Sequence, residues 1–159
     1  MVIVVYLPAL WCGFLYDDFL VVHARPVPSG WSEWLSIFTT RQADNLPYYR
    51  PLTWLSIDVQ NAWHGHSAVA FHAFNVLLAA CWAVSVFWLL LSSGFRLSWL
   101  AALVGALAVA VHPVAACAIY PVTSGRETLL AAVAITLAVA AWLRTGEPGG
   151  SRWMVMAWG

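Results

Sequence analysis

Asp17 and Asp18 stand side by side directly after an apolar run that ends at Leu15. If that run crosses a membrane, both carboxylates lie at its surface, where an ionised Asp can take the proton of an attacking hydroxyl. A plainer role is open to the same pair: two solvated acids that end a helix and hold it at the interface. Further on, Tyr48-Tyr49-Arg50-Pro51 sets aromatic rings beside a guanidinium. A guanidinium grips a phosphate with paired hydrogen bonds, and an aromatic ring stacks on a sugar or an isoprenoid, so Tyr49 and Arg50 are candidates for holding a phosphorylated substrate. An interfacial Arg snorkelling from a short helix has the same appearance.

His112-Pro113 and Gly125-Arg126-Glu127 bracket a second polar stretch. Ionisable groups at membrane helix ends are functional candidates by default, which brings in His112, Arg126 and Glu127 as substrate contacts. Arg126 is the natural second phosphate ligand. Glu127 also completes Ser124-x-x-Glu127, the pattern of a capping box, and this predicts a helix entrance near residue 125. His112 can equally satisfy the turn at Pro113. His72 and Asn75 lie one turn apart, a spacing that suits hydrogen bonds between helices, and His72 is carried as a further substrate contact. His64, His66 and His72 lack an HExxH-type spacing, so no metal ligand set is assigned.

These residues need a scaffold, and the composition says which kind. Of 159 residues, 62% are hydrophobic and 9% charged, against about 25% charged in a soluble domain. Eleven Trp and five Tyr suit a chain whose rings sit at two membrane interfaces. The net charge is zero and every basic residue is an isolated Arg, which excludes the electrostatic footprint of a nucleic-acid binder. Cys12, Cys81 and Cys117 show no ligand spacing and read as small buried hydrophobes. The first residues lack the basic start and small-residue cleavage site of a signal peptide.

A spanning helix needs about 20 apolar residues. The expected fold is therefore all-α: a polytopic membrane helix bundle with about four spans, at residues 1–15, 69–91, 97–112 and 128–143, and the start of a fifth at 153–159. Arg96, Arg144 and Arg152 mark one side as cytoplasmic. The outer loop 16–68 and the 112–127 connection then share the opposite face, where Asp17, Asp18, Glu33, Asp44 and Asp58 outnumber Arg25, Arg41 and Arg50. Within that loop Trp31, Trp34, Leu35 and Phe38 form one helical stripe, and Pro51 opens a second short helix with Leu52, Leu55 and Val59 on one side. Both are expected to lie in the membrane interface.

Tyr16-Asp17-Asp18, Tyr49-Arg50-Pro51-Leu52-Thr53, Phe71-His72-Ala73-Phe74-Asn75, His112-Pro113 and Gly125-Arg126-Glu127-Thr128-Leu129-Leu130 follow one another in a fixed order. That series resembles the GT-C membrane glycosyltransferases, in particular the transmembrane O-mannosyltransferase group often followed by tetratricopeptide repeats. The resemblance covers roughly residues 5–143. It implies a polyprenyl- or dolichyl-phosphate sugar, mannose-like, as donor, a protein or glycan hydroxyl as acceptor, and Asp17 as catalytic base with Asp18 beside it. No other cofactor is assigned, and a divalent metal stays open. It further implies a multi-pass protein of a bacterial inner membrane or its equivalent, with a cytoplasmic N-terminus. Such enzymes carry many more spans, so the chain reads as the N-terminal part of one. The alternative, from a different class, is a non-enzymatic assembly or transporter module, or an inactive fragment, in which the outer polar residues merely pair helices.

Overall fold

The computed structural model describes residues 1–23, 26–39, 49–92, 95 and 97–145. Every regular element among them is helical: α1 (Val2–Tyr6), running into a 3-10 turn (Leu7–Trp11), α2 (Asp18–His23), α3 (Trp31–Ser36), α4 (Pro51–His64), α5 (Ala68–Leu90), α6 (Trp99–Val111), α7 (Pro113–Ala116) and α8 (Val122–Thr145). Tyr48, Arg96, Arg152 and the apolar stretch 153–159 lie outside the described residues.

Among the described residues two helices, α5 and α8, are long and apolar enough to cross a membrane. With 23 and 24 residues at 1.5 Å per residue, each reaches about 35 Å, more than the roughly 30 Å hydrocarbon layer. Val2–Trp11 and Trp99–Val111 are apolar but shorter. The arrangement is thus an all-helical membrane-type bundle with two span-length helices.

The entrance of α8 differs from the sequence expectation. The helix begins at Val122, so Ser124 lies inside its first turn and is exposed, and it does not cap the helix. Pro121 ends the preceding segment, and the donors of the first turn are met from elsewhere in the chain, as described below.

α5, α6 and α8 form an up-down-up layer. Asn75 near the start of α5 meets Arg126 near the start of α8, while Arg144 at the far end of α8 lies over the Trp88 ring at 5.0 Å; these two helices therefore run parallel. α6 returns antiparallel along α5, with Trp99 against Phe87, so α5 is the middle helix of the layer. Its buried stripe is Ala102, Ala106 and Ala110, small residues four apart that let helix backbones approach closely where water is no driving force. α1 packs alongside, and Tyr6 donates its hydroxyl proton to the Ala110 carbonyl at 2.9 Å.

Around an apolar core, large apolar side chains also cover the outside of the long helices, and several polar ones are buried. Val69, Leu77, Val84, Val104, Ile135 and Trp142 are exposed, whereas Asp18, Asp58, His72, Asn75 and Arg126 are buried. α4 repeats the pattern on a small scale: Thr53, Ile57, Asp58, Gln60 and Asn61 face inward, and Leu52 and Trp63 face out. α3 buries none of its residues, and Trp31 is 86% exposed. The cysteines follow the same rule in a way the sequence reading misses. Cys81 and Cys117 are exposed and Cys12 is half-buried, since the small alanines take the interhelical positions.

Candidate active site

The N-terminal ends of α5 and α8, the C-terminal end of α6 and the N-terminal half of α4 gather at one end of the bundle, and Asp17 and Asp18 fold into that end. The two carboxylates have opposite surroundings. Asp18 is completely buried. Its Oδ2 accepts from the Val122 N–H at 2.7 Å and its Oδ1 from the Thr123 N–H at 2.7 Å, while Leu15 N–H adds a third contact at 3.2 Å. A helix start leaves four amide donors without intrahelical partners, and a carboxylate there is also favoured by the helix dipole. Asp18 therefore caps α8 from 104 residues away. Asp17 is exposed. The turn that separates their fates includes Tyr16 at φ +53°, a left-handed conformation uncommon for a bulky residue.

Arg126 is also fully buried. Its Nε donates to Asn75 Oδ1 at 3.0 Å, Nη1 to Ser56 Oγ at 3.4 Å and Nη2 to the Phe71 carbonyl at 3.3 Å, with the guanidinium 4.4 Å from the Phe74 ring centroid. Asn75 in turn directs its amide at the Pro121 and Val122 carbonyls at 3.1 and 3.2 Å. Arg126 is thus spent on joining α4, α5 and α8, and it is not presented to an incoming phosphate as the sequence reading expects. His72 is buried as well and meets the Gly13 carbonyl through Nε2 at 3.2 Å. Its Nδ1 has no hydrogen-bond partner among the described residues. His72 holds the segment leading to Asp17 against α5, which is a tether and not an open substrate contact.

On the accessible side of this buried network stands a second group. Arg50 forms an ion pair with Glu127, one half-exposed and the other largely covered. Asp17 adjoins Asp18, which caps the same helix, α8, that carries Glu127. Glu127 therefore anchors Arg50 and does not close a capping box. Tyr49 is exposed and donates its hydroxyl proton to the Phe38 carbonyl at 2.6 Å. Of the residues singled out from sequence, Arg50 and Glu127 pair with each other, Asp17 is exposed next to the Asp18 cap of α8, and Asp18, His72 and Arg126 are buried.

His112 stands apart. Its Nδ1 accepts from the Val114 N–H at 3.2 Å and caps α7, the turn-satisfying role. It also lines an apolar groove of about 620 Å³ with Trp82, Val109, Val114, Thr128 and Leu129.

Two features escape the sequence reading. Gly125 is where α8 meets the backbone of the α7–α8 connection: a Cβ there would sit 2.4 Å from the Ala118 carbonyl oxygen. Asn61 donates to the Val22 carbonyl at 3.2 Å, and Gln60 to the Ala70 carbonyl at 3.1 Å, so the polar face of α4 clamps α2 and α5. The available signal was the run of polar side chains on one face of an otherwise apolar helix. Among the described residues no three His, Cys, Asp or Glu side chains converge to hold a metal ion.

The described residues form an all-helical bundle with two helices long and apolar enough to cross a membrane and a cluster of charged side chains at one end. No protein-family model, curated protein or solved structure matches the chain.

Proposed function

We propose that this chain forms part of a membrane glycosyltransferase that moves a mannose-like sugar from a polyprenyl- or dolichyl-phosphate carrier to an acceptor hydroxyl on the non-cytoplasmic face. The observation that carries the reading is the exposed Asp17, next to the residue that caps α8, the helix whose Glu127 pairs with Arg50. In this scheme Asp17 takes the proton of the acceptor hydroxyl. The acceptor oxygen bonds to the anomeric carbon, the bond from that carbon to the phosphate oxygen breaks, and the electron pair leaves on the phosphate. Arg50, steadied by Glu127, faces that developing charge. The apolar groove lined by His112 and Thr128 supports a donor with a long hydrocarbon tail. The four-span layout belongs to the same reading, with the shorter apolar helices Val2–Trp11 and Trp99–Val111 seated in the membrane beside α5 and α8.

A second reading draws on the buried network. Asp18, His72, Asn75 and Arg126 satisfy one another and the backbone, which a non-enzymatic assembly module would also use to pair helices. Asp17 decides between the two. Asp17→Asn, in membranes containing the full chain, is expected to abolish transfer from a radiolabelled polyprenyl-phosphate mannose while leaving the protein level unchanged. Undiminished turnover removes Asp17 from the reaction and favours the assembly module.

A further inference from the structure

Asp17 and Asp18 are neighbours in sequence and opposites in environment. We infer that Asp18 is the positioning residue of the site: by capping α8 it fixes Asp17 relative to the helix that carries the Arg50–Glu127 pair. The inference rests on the reading of Asp17 as the base.

The argument is one of shared attachment. α8 offers its first two amides, Val122 and Thr123, to the Asp18 carboxylate, and about one and a half turns further along the same helix Glu127 holds Arg50. A single rigid element therefore carries both anchors. On the other side of Asp17 the chain is closed into a tight turn, since the Asp18 N–H donates to the Leu15 carbonyl at 3.0 Å and the Leu15 N–H donates to Asp18 Oδ2 at 3.2 Å. Tyr16 at φ +53° completes that turn. Asp17 thus has little freedom of its own: its place follows from the turn, the turn from Asp18, and Asp18 from the start of α8. With Asp18 wholly buried and its oxygens committed to three amide donors, the second acid of the pair holds the first and takes no part in proton transfer.

The geometry can be read without any turnover. In the full chain, with Cys12, Cys81 and Cys117 replaced by Ser, cysteines are placed at positions 17 and 127 (Asp17→Cys, Glu127→Cys) and joined with a short bifunctional methanethiosulfonate in lipid vesicles. Efficient cross-linking is expected, falling at least about fivefold when Asp18→Asn is added. Asn offers one acceptor oxygen and turns an NH2 group toward a backbone donor. Because Asp18→Asn also disturbs a buried site, Val122→Pro is the second variant. Proline is suited to the first helical position and lacks the amide hydrogen that Asp18 accepts, so it removes one cap bond and preserves the helix; about a twofold to threefold fall is expected. In parallel, Asp18→Asn alone, in the chain with Asp17 intact, is expected to lower kcat for transfer from polyprenyl-phosphate mannose at least tenfold with KM within about twofold. Cross-linking that is absent in the parent pair, or unchanged in both variants, overturns the proposal. So does cross-linking that falls while kcat holds. Failure of the parent protein to transfer sugar counts against the enzymatic reading, and the cross-linking arm still decides whether Asp18 sets the position of residue 17.

Discussion

Replacing Gly125 with Ala poses two opposing effects of known size. In a helix Ala is favoured over Gly by about 1 kcal/mol, so the change would stabilise α8 if the site were open. It is not open. The added Cβ would lie 2.4 Å from the Ala118 carbonyl oxygen, 3.0 Å from its carbon and 3.1 Å from Asn75 Nδ2, so two backbones must separate by about 1 Å to reach ordinary contact. Backbone-displacing overpacking costs roughly 1–3 kcal/mol. The same shift pulls the Asn75 amide from the Pro121 and Val122 carbonyls, for about 1 kcal/mol per bond weakened. The losses exceed the propensity gain, leaving a net destabilisation of about 2 kcal/mol. In a chain of this size that lowers Tm by roughly 4–8 °C. Thermal unfolding followed by circular dichroism in detergent micelles measures it, with Gly105→Ala as the control. At Gly105 the nearest atom is Leu90 Cδ1 at 3.0 Å, the end of a side chain that can rotate away, so little change or a small gain is expected. A Gly125→Ala protein as stable as its parent would refute the close approach of α8 to the Ala118 segment.

Arg126→Lys keeps the charge but loses the fork that reaches Asn75, Ser56 and the Phe71 carbonyl together. With charge-assisted hydrogen bonds worth about 1.5–3 kcal/mol each and two of the three lost, a fall of roughly 3–6 kcal/mol is expected in urea unfolding of the micellar protein. A change below about 0.5 kcal/mol, the range of an ordinary surface substitution, would show that the guanidinium is not engaged as described. For α3, the fluorescence lost between the parent and Trp31→Phe isolates one indole. Lipids brominated near the headgroup are expected to quench that component and aqueous iodide to leave it largely untouched. The reverse pattern would lift α3 off the membrane surface.

Much of this protein could be read from residue types alone. An apolar, charge-poor composition with span-length runs dictates helices, because a backbone in hydrocarbon must satisfy its hydrogen bonds internally. α5 follows from its 23-residue apolar length, and α4 from a proline at its first position. The charged residues at membrane helix ends were visible as candidates for the same reason: lipid makes every ionisable group costly enough to need a purpose.

What each candidate does was not legible, since it depends on which backbone atoms arrive from distant parts of the chain. Nothing in Asp17-Asp18 distinguishes the two acids; burial against the first amides of α8 turns one into a cap and leaves the other at the surface. Ser124-x-x-Glu127 matches a local capping pattern, yet the remote carboxylate of Asp18 takes the helix start, and Arg50 takes Glu127. Arg126 looks like a free cation in sequence and becomes buried only when Asn75, Ser56 and Phe71 surround it. Sequence fixes period, polarity and reach, which are local properties. The partner of a charge is a property of the packed chain, because hydrogen bonds form between atoms that folding brings together.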